Sequence, residues 1–170
     1  VAGMSRPHTY RVMVRGWSSP VAKRTGNAVG RRPSEKAPSA ALWVAAVWKE
    51  AGLPGGVFNV LQGDKVAVDA LLHSPNVAAI SFVGSTPIAE YVYSEATKYG
   101  KSDKALGGAK NQMVVLPEAD LDHAAESAVN AGFGAAGERC MAISVLVGGE
   151  PIAEERGARI AESTRNLRSG

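Results

Sequence analysis

The chain has 170 residues, 45% of them hydrophobic and 21% charged, which suffices for one ordinary domain, or parts of two, with a buried core. A single cysteine excludes an internal disulfide framework and favours an intracellular, cytoplasmic protein. No apolar run is long enough for a membrane span or a signal-peptide core, so we expect no membrane partner.

The net charge of +3 is unevenly distributed along the chain. Residues 1–34 contain seven Lys or Arg and no acidic residue. The rest of the chain contains the other 12 of the 19 basic side chains and all 16 acidic ones. Two interpretations follow from this pattern. The segment could be a basic arm for nucleic acid, or an Arg-rich transit peptide, which would place the protein in the mitochondrial matrix.

From residue 33 onward, hydrophobic periodicity predicts alternating helices and strands. Helices are expected over residues 39–51, 64–73 and 87–99, from Asp120 onward, and over 151–167; strands are expected over 57–61, 77–83, 111–116 and 142–147. In the first helix, Leu42, Ala45, Ala46 and Lys49 recur at helical spacing. In the second, Val66, Ala70 and Leu71 are expected to face inward. No element is predicted between residues 100 and 111. Short alternating units of this kind predict an α/β fold with a doubly wound parallel sheet.

The only cysteine, Cys140, stands where a helical pattern ends in a glycine-rich stretch and a strand is about to begin. A thiol at such a junction, beside the cation Arg139, favours the thiolate and is a candidate nucleophile. The alternative is that Cys140 is a small buried hydrophobe.

A second candidate site is the segment Gly84-Ser85-Thr86, between an apolar strand and a helix. Backbone N–H groups and the positive helix end can bind an anion there. Plain helix capping by Ser85 or Thr86 is the alternative. The segment does not match the dinucleotide pattern Gly-x-Gly-x-x-Gly.

Three motifs together resemble the aldehyde dehydrogenase superfamily, and within it the acylating methylmalonate-semialdehyde dehydrogenases. They are Phe82-Val-Gly-Ser-Thr86, Ala105-Leu-Gly-Gly-Ala-Lys-Asn111 and Gly137-Glu-Arg-Cys140-Met-Ala. The resemblance implies an NAD-binding domain and the start of a catalytic domain. It also implies a homo-oligomer that oxidises methylmalonate or malonate semialdehyde, a small-molecule substrate, with NAD as cofactor and coenzyme A as co-substrate. No nucleic acid and no metal are implied.

The resemblance assigns roles to particular residues. Cys140 is the expected nucleophile, and Arg139 is expected to recognise the substrate carboxylate, although it could instead activate the thiol or pair with Glu138. Cofactor binding is assigned to residues from three segments: Arg32, Glu35, Lys36, Gly84, Ser85 and Gly107.

Departures from the family pattern at two positions bear on the expected chemistry. Ala105 stands where hydrolytic members have a Glu that activates water, and loss of such a base costs about 10²–10⁴-fold in rate. A thiol acceptor needs less help, so Ala105 fits acyl transfer to coenzyme A. Thr9, preceded by His8, stands where the family has an oxyanion-binding Asn.

The resemblance also divides the chain. Residues 7–35 align with the family's first strand, first helix and second strand, but charges fall on positions that the family fills with apolar residues: Arg11, Arg15, Lys23, Arg24 and Arg31. We therefore predict a degraded first βα unit over residues 1–34, the NAD-binding domain over 35–104, and the N-terminal part of the catalytic domain over 105–170. On this interpretation the chain is a fragment, and the alternative is an inactive nucleotide-binding remnant.

Overall fold

The computed structural model describes residues 2–5 and 13–168, in two compact units, Val1–Gly107 and Gly108–Gly170. The elements of the first unit are β1 (Ala2–Ser5), α1 (Met13–Arg24), β2 (Val29–Arg32), α2 (Ser39–Glu50), β3 (Phe58–Val60), α3 (Lys65–His73), β4 (Ala79–Val83), α4 (Thr86–Lys98) and β5 (Ser102–Leu106). The elements of the second unit are β6 (Asn111–Val115), α5 (Leu121–Phe133), β7 (Ile143–Gly148) and α6 (Glu150–Arg165).

The five strands of the first unit form a parallel sheet in the order β3-β2-β1-β4-β5. β1 is the central strand, since Ala2 pairs with Val29 on one side and with Ala79 on the other. Consecutive strands are joined by helices, and the strand order reverses direction between β1 and β4. This arrangement confirms the predicted doubly wound α/β fold.

The first strand lies earlier than the sequence predicted. β1 occupies Ala2–Ser5, before the span 7–35 to which the first strand, first helix and second strand were assigned. A central parallel strand is covered on both faces, and the small, uncharged run Ala-Gly-Met-Ser suits that position. The later stretch, which contains Arg11 and Arg15, does not.

Three of the basic side chains that fall on the family's apolar positions are described, and their environments differ. Arg31 is buried on β2, and its Nη1 donates a hydrogen bond of 2.7 Å to Ser19 Oγ. The Lys23 ammonium lies over the ring of Trp48, a cation–π arrangement. Arg24 is exposed at the end of α1.

Arg11 and the side chain of Arg15 lie outside the described part of the chain. That residues 1–34 are a degraded unit stays a prediction. The predicted boundary between residues 104 and 105 falls inside β5.

β5 was missed because its sequence, Ser-Asp-Lys-Ala-Leu, carries two charges. The strand lies at the sheet edge, where Ser102, Lys104 and Leu106 are exposed. Ala105 faces the other way and packs against the core. Asp103 also points inward: both its carboxyl oxygens are inaccessible to solvent, and within the described residues neither has a hydrogen-bond partner.

The core of the first unit lies between β4 and the helices α3 and α4. Its buried members are all apolar: Leu72, Val77, Ile80, Phe82, Ala89, Val92 and Ala96. Burying one large apolar side chain contributes about 1.5–3 kcal/mol to the free energy of folding.

The inward face predicted for α3 is confirmed for Leu71, which packs against the core, and is wrong for Val66. Leu42 is 50% exposed and Val66 is 75% exposed, whereas Ala41 and Leu72 are buried. Both helices are apolar around most of their circumference, so periodicity leaves their orientation undetermined.

The second unit contains a parallel pair of strands, β6 and β7, with α5 packed against β7 and α6. Asp120 caps α5 as predicted, since its Oδ1 accepts hydrogen bonds from the backbone N–H groups of Asp122 and His123. Arg159 of α6 forms ion pairs with Asp122 of α5 and with Glu155 of its own helix.

Across residues 2–5 and 13–168, no helix is long and apolar enough to cross a membrane. The same residues contain no group of three or more His, Cys, Asp and Glu side chains that could hold a metal ion.

We predict that Asp103→Val stabilises the first unit by about 1–2 kcal/mol at pH 7, because it removes a buried carboxyl group without a hydrogen-bond partner. Burial raises the pKa of Asp103. The protonated carboxyl group, which predominates below the unfolded pKa of about 3.9, is therefore tolerated in the folded state. The charged carboxylate destabilises the folded state, and this cost appears as the pH rises from the unfolded pKa to the folded pKa. The gain from the substitution should thus be larger at pH 7 than at pH 4.

Urea unfolding followed by tryptophan fluorescence measures this directly, because all three tryptophans, Trp17, Trp43 and Trp48, lie in the first unit. Glu90→Gln, which alters an exposed carboxylate of α4, is the control. A variant at position 103 that is no more stable than the parent at pH 7 would contradict the prediction.

Candidate functional site

A cavity of the first unit opens at the carboxyl ends of β2 and β4. Its volume is about 520 Å³, within the usual range for sites that bind small molecules. It is lined from β2 and the following loop, from α3, and from β4 and α4; the residues are Arg32, Ser34, Glu35, Lys65, Val68, Phe82, Gly84, Ser85, Ile88 and Tyr91. Four of the six predicted cofactor-binding residues, Arg32, Glu35, Gly84 and Ser85, therefore share one cavity.

The N-terminus of α4 faces this cavity. Ser85 is the N-cap residue, in extended conformation, and its side chain makes no capping hydrogen bond. Its backbone carbonyl accepts from Ala89 N–H at 2.9 Å, so the helix starts regularly without using the hydroxyl. The capping alternative therefore does not hold for Ser85, and the junction has the features of an anion site.

Arg32 and Glu35 form a paired group at the end of β2. Arg32 Nη2 donates to Glu35 Oε2 at 2.6 Å, and Arg32 Nε donates to the Gly63 carbonyl at 2.8 Å. The hydrogen bond from its own backbone N–H and the neighbouring Arg32 guanidinium hold the pKa of Glu35 below its ordinary value. The carboxylate is thus ionised and held at the mouth of the cavity.

The other two predicted cofactor-binding residues do not line this cavity. Lys36 is exposed, and its backbone N–H donates to Ser34 Oγ at 3.3 Å. Gly107 packs against the first turn of α4, where an added Cβ would lie 3.0 Å from Thr86 Cα. Gly107 therefore allows β5 to approach the helix that carries Ser85.

Sequence reasoning missed a polar cluster of Lys65, Asp69 and Tyr91 at this cavity. Lys65 Nζ lies 2.6 Å from both Asp69 Oδ2 and Tyr91 Oη, and Tyr91 Oη donates to Asp69 Oδ1 at 2.7 Å. Hydrogen bonds from Lys65 and Tyr91 lower the pKa of Asp69. The hydrogen bonds of Lys65 with Asp69 and Tyr91 raise the pKa of Lys65. The i,i+4 spacing of Lys65 and Asp69 could have indicated the ion pair. Only the packing of α3 against α4 adds Tyr91.

Cys140 lies in the second unit and is exposed. It occupies the second position of a β-turn in which Ala142 N–H donates to the Arg139 carbonyl at 3.0 Å. The predicted junction is confirmed in outline: α5 ends at Phe133, a 3-10 turn spans Gly134–Gly137, and β7 begins at Ile143. The alternative of a buried hydrophobe does not hold.

The 3-10 turn that leads to Cys140 has an unusual backbone. Ala135 and Ala136 have φ angles of 53° and 56°, in the left-handed region, which costs about 1–2 kcal/mol for each L-residue with a Cβ. Arg139 packs its guanidinium against Gly134, where an added Cβ would lie 2.9 Å from Cζ. Between the described side chains of Glu138 and Arg139 there is no ion pair, so the surface-couple interpretation of Arg139 lacks support.

The expected oxyanion position, Thr9, and its neighbour His8 lie outside the described residues. Ala105 packs against the core of the first unit. Among residues 2–5 and 13–168, the predicted site residues thus fall into a cavity group in one unit and a cysteine turn in the other.

A doubly wound parallel sheet with a cavity, a helix N-terminus and a paired carboxylate at its carboxyl edge defines a nucleotide-binding α/β domain. Comparison with known proteins gives the family. The model of the aldehyde dehydrogenase family matches residues 1–170, so the chain belongs to that family.

Several relatives are similar over the whole chain. It is 51% identical to the malonate-semialdehyde dehydrogenase of Pseudomonas aeruginosa, over 100% of this chain and 34% of that protein. It is 45% identical to malonate-semialdehyde dehydrogenase 2 of Geobacillus kaustophilus, over 100% of this chain and 35% of that protein. The crystal structure of methylmalonate-semialdehyde dehydrogenase from Oceanimonas doudoroffii has a TM-score of 0.85 at 48% identity, over 100% of this chain and 35% of that one.

A Sinorhizobium meliloti structure, described as a methylmalonate-semialdehyde dehydrogenase complexed with NAD, has a TM-score of 0.83 at 48% identity, over 98% of this chain and 34% of that one. The chain thus spans about a third of the length of the relatives that it matches.

At Gly84 an added Cβ would overlap the ring of Phe82, a core residue that also lines the cavity. We predict that Gly84→Ala displaces this buried ring and destabilises the first unit by about 1–3 kcal/mol. Gly55→Ala is the matched control, since a Cβ there meets nothing within 4 Å. It should change stability by no more than about 1 kcal/mol. Urea unfolding by tryptophan fluorescence distinguishes the two, and equal midpoints would contradict the assigned role of Gly84.

Proposed function

We propose that these 170 residues supply the cofactor site and the nucleophile of an NAD-dependent, coenzyme A-acylating malonate- or methylmalonate-semialdehyde dehydrogenase. The observation that carries the proposal is the convergence of Arg32, Glu35, Gly84 and Ser85 on one cavity at the switch point of the sheet. The similarity over the whole chain to relatives of that name supports the substrate class.

The cavity fits the adenosine end of NAD. Glu35 is ionised and points a carboxylate toward the cavity mouth, where it can accept hydrogen bonds from ribose hydroxyls. The N-terminus of α4 and the Ser85 hydroxyl suit a pyrophosphate. Val68 and Ile88 supply apolar walls for the base. When bound, NAD would accept the hydride that leaves the substrate.

The second unit supplies the nucleophile. The Cys140 thiolate would add to the aldehyde carbon and give a thiohemiacetal, which becomes a thioester after oxidation. Exposure of Cys140 on a turn leaves the thiol accessible for this attack. Arg139, next to it, would pair with the carboxylate of the semialdehyde, because its planar guanidinium can bind a carboxylate with two hydrogen bonds.

The acyl acceptor in the proposal is the thiol of coenzyme A. Ala105 carries no carboxylate that could activate water, and its methyl group packs against the core. Transfer of the acyl group to a thiol depends less on such a base, because a thiolate is already a good nucleophile. Carbon dioxide would be lost from the malonyl or methylmalonyl unit. A homo-oligomeric assembly and a cytoplasmic location, with the mitochondrial matrix as the alternative, belong to the same proposal.

We predict that the chain binds NAD and that Glu35→Gln lowers its affinity about tenfold or more, because a hydrogen bond to a charged group contributes about 1.5–3 kcal/mol. Calorimetric titration with NAD measures both. Glu50→Gln, which neutralises an exposed carboxylate on α2, should leave the affinity unchanged. Equal affinities for the parent and the Glu35 variant would refute the assigned role of Glu35.

The reaction is tested in a whole enzyme. Residues 1–170 would replace the matching third of the Pseudomonas aeruginosa malonate-semialdehyde dehydrogenase, with which they align over their full length. We predict NADH formation from malonate semialdehyde that requires coenzyme A and disappears in Cys140→Ala. Thr9→Asn should raise kcat by about 10²-fold, because one oxyanion donor contributes about 10²–10³ in kcat.

Two results of this experiment would contradict the proposal. Turnover at the same rate without coenzyme A would make water the acceptor. A folded hybrid that binds NAD but shows no turnover, even with Thr9→Asn, would favour the alternative of an inactive nucleotide-binding remnant.

A further inference from the structure

The turn that carries Cys140 is held by a side chain from another strand. Asn111, the first residue of β6, directs its side-chain amide at this turn. Its Nδ2 donates to the Cys140 carbonyl at 2.9 Å and to the Ala142 carbonyl at 3.0 Å. One amide group thus binds the nucleophile's own carbonyl and the carbonyl two residues further along.

The strand pairing shows why a side chain is used here. Asn111 pairs with Ile143, but the next residue, Gln112, pairs with Val145, so β7 bulges at Ser144. Asn111 is therefore the first residue of the ladder, and backbone pairing ends there. Its side chain continues the hydrogen bonding beyond the ladder, along the chain toward Cys140.

The two side-chain bonds complete a set of three that fixes the turn. The backbone bond from Ala142 N–H to the Arg139 carbonyl closes the turn itself. In an isolated turn of this kind, the carbonyl of the second residue has no intramolecular partner, and here Asn111 supplies one. The turn is exposed, so water could satisfy these carbonyls; what Asn111 adds is a fixed geometry rather than relief of a desolvation cost.

The opposite side of the turn is fixed by different means. The left-handed residues Ala135 and Ala136 turn the chain after α5, and Gly137, with φ of 72°, continues the turn. The backbone path to Cys140 is thus set by strained geometry before the cysteine and by the Asn111 amide after it.

We propose that Asn111 is a positioning residue for the nucleophile: its amide holds the Cys140 turn in the orientation from which the thiolate attacks. This deepens the proposed function and rests on it for the assignment of Cys140 as nucleophile. Asn111 would touch neither substrate nor cofactor. It acts on the reaction only through the backbone on which the thiol is mounted.

The test uses Asn111→Asp, which keeps the size of the side chain but exchanges both donors for carboxylate oxygens that face two carbonyls. Asn130→Asp is the matched control, because it makes the same change at an exposed position on α5 in the same unit. Hydrogen-exchange mass spectrometry on the full 170-residue chain compares the turn, residues 139–142, with α5. We expect exchange in the turn to accelerate at least tenfold in the Asn111 variant, with α5 unchanged, and no change in the control.

The kinetic arm uses the hybrid enzyme described above. Asn111→Asp should lower kcat about 10–100-fold while KM for the semialdehyde changes less than threefold, since a misplaced nucleophile slows the chemical step without weakening substrate binding. A change confined to KM would overturn the proposal, as would unchanged exchange in the turn. Faster hydrogen exchange throughout α5 in both Asn111→Asp and Asn111→Ala would show a general structural role for Asn111 and would also overturn the proposal.

The two proposals fail in different ways. The exchange measurement needs neither NAD nor substrate, so it decides whether Asn111 holds the turn even if the parent hybrid has no turnover. An inactive parent hybrid contradicts the proposed dehydrogenase function alone. An active parent hybrid whose kcat is unaffected by Asn111→Asp contradicts the positioning role alone.

Discussion

The parallel pairing of β1 with β2 on one side and with β4 on the other is the constraint on which the first unit depends. It makes all five strands end at the same edge, so the loops after β2 and β4 flank one crevice. Arg32 and Glu35 come from one loop, and Gly84 and Ser85 from the other. The cavity between them is a consequence of strand order, and its two sides are far apart in the sequence.

Local packing then decides which groups are free to bind a ligand. The regular start of α4 without a side-chain cap leaves the Ser85 hydroxyl for the cavity. The bare backbone at Gly84 leaves room for the ring of Phe82, which closes the cavity floor and belongs to the core. The core and the cavity therefore share the Phe82 ring, which a methyl group at Gly84 would displace.

The second unit carries an exposed thiol on a turn between a helix and a strand. Ordinary secondary structure does not fix this turn, because α5 ends at Phe133 and pairing of β6 with β7 starts at Ile143. The connection is instead fixed by left-handed alanines on one side and by the Asn111 amide on the other. Arg139, the residue before the cysteine, packs its guanidinium against Gly134.

The sequence alone determined the fold class and the family, because these depend on local signals: alternating strand and helix patterns, the Gly84-Ser85-Thr86 junction and the motif around Cys140. The roles of the site residues stay predictions. Tertiary structure decided what local signals leave open. The apolar sequences of α2 and α3 do not define which face turns inward, so Leu42 and Val66 proved exposed. The charged strand β5 is stable only because it pairs with β4, and β1 was placed by its two neighbours. Tyr91 and Asn111 reach their partners across 22 to 31 residues of sequence, a separation that only the packed chain can bring within hydrogen-bonding distance.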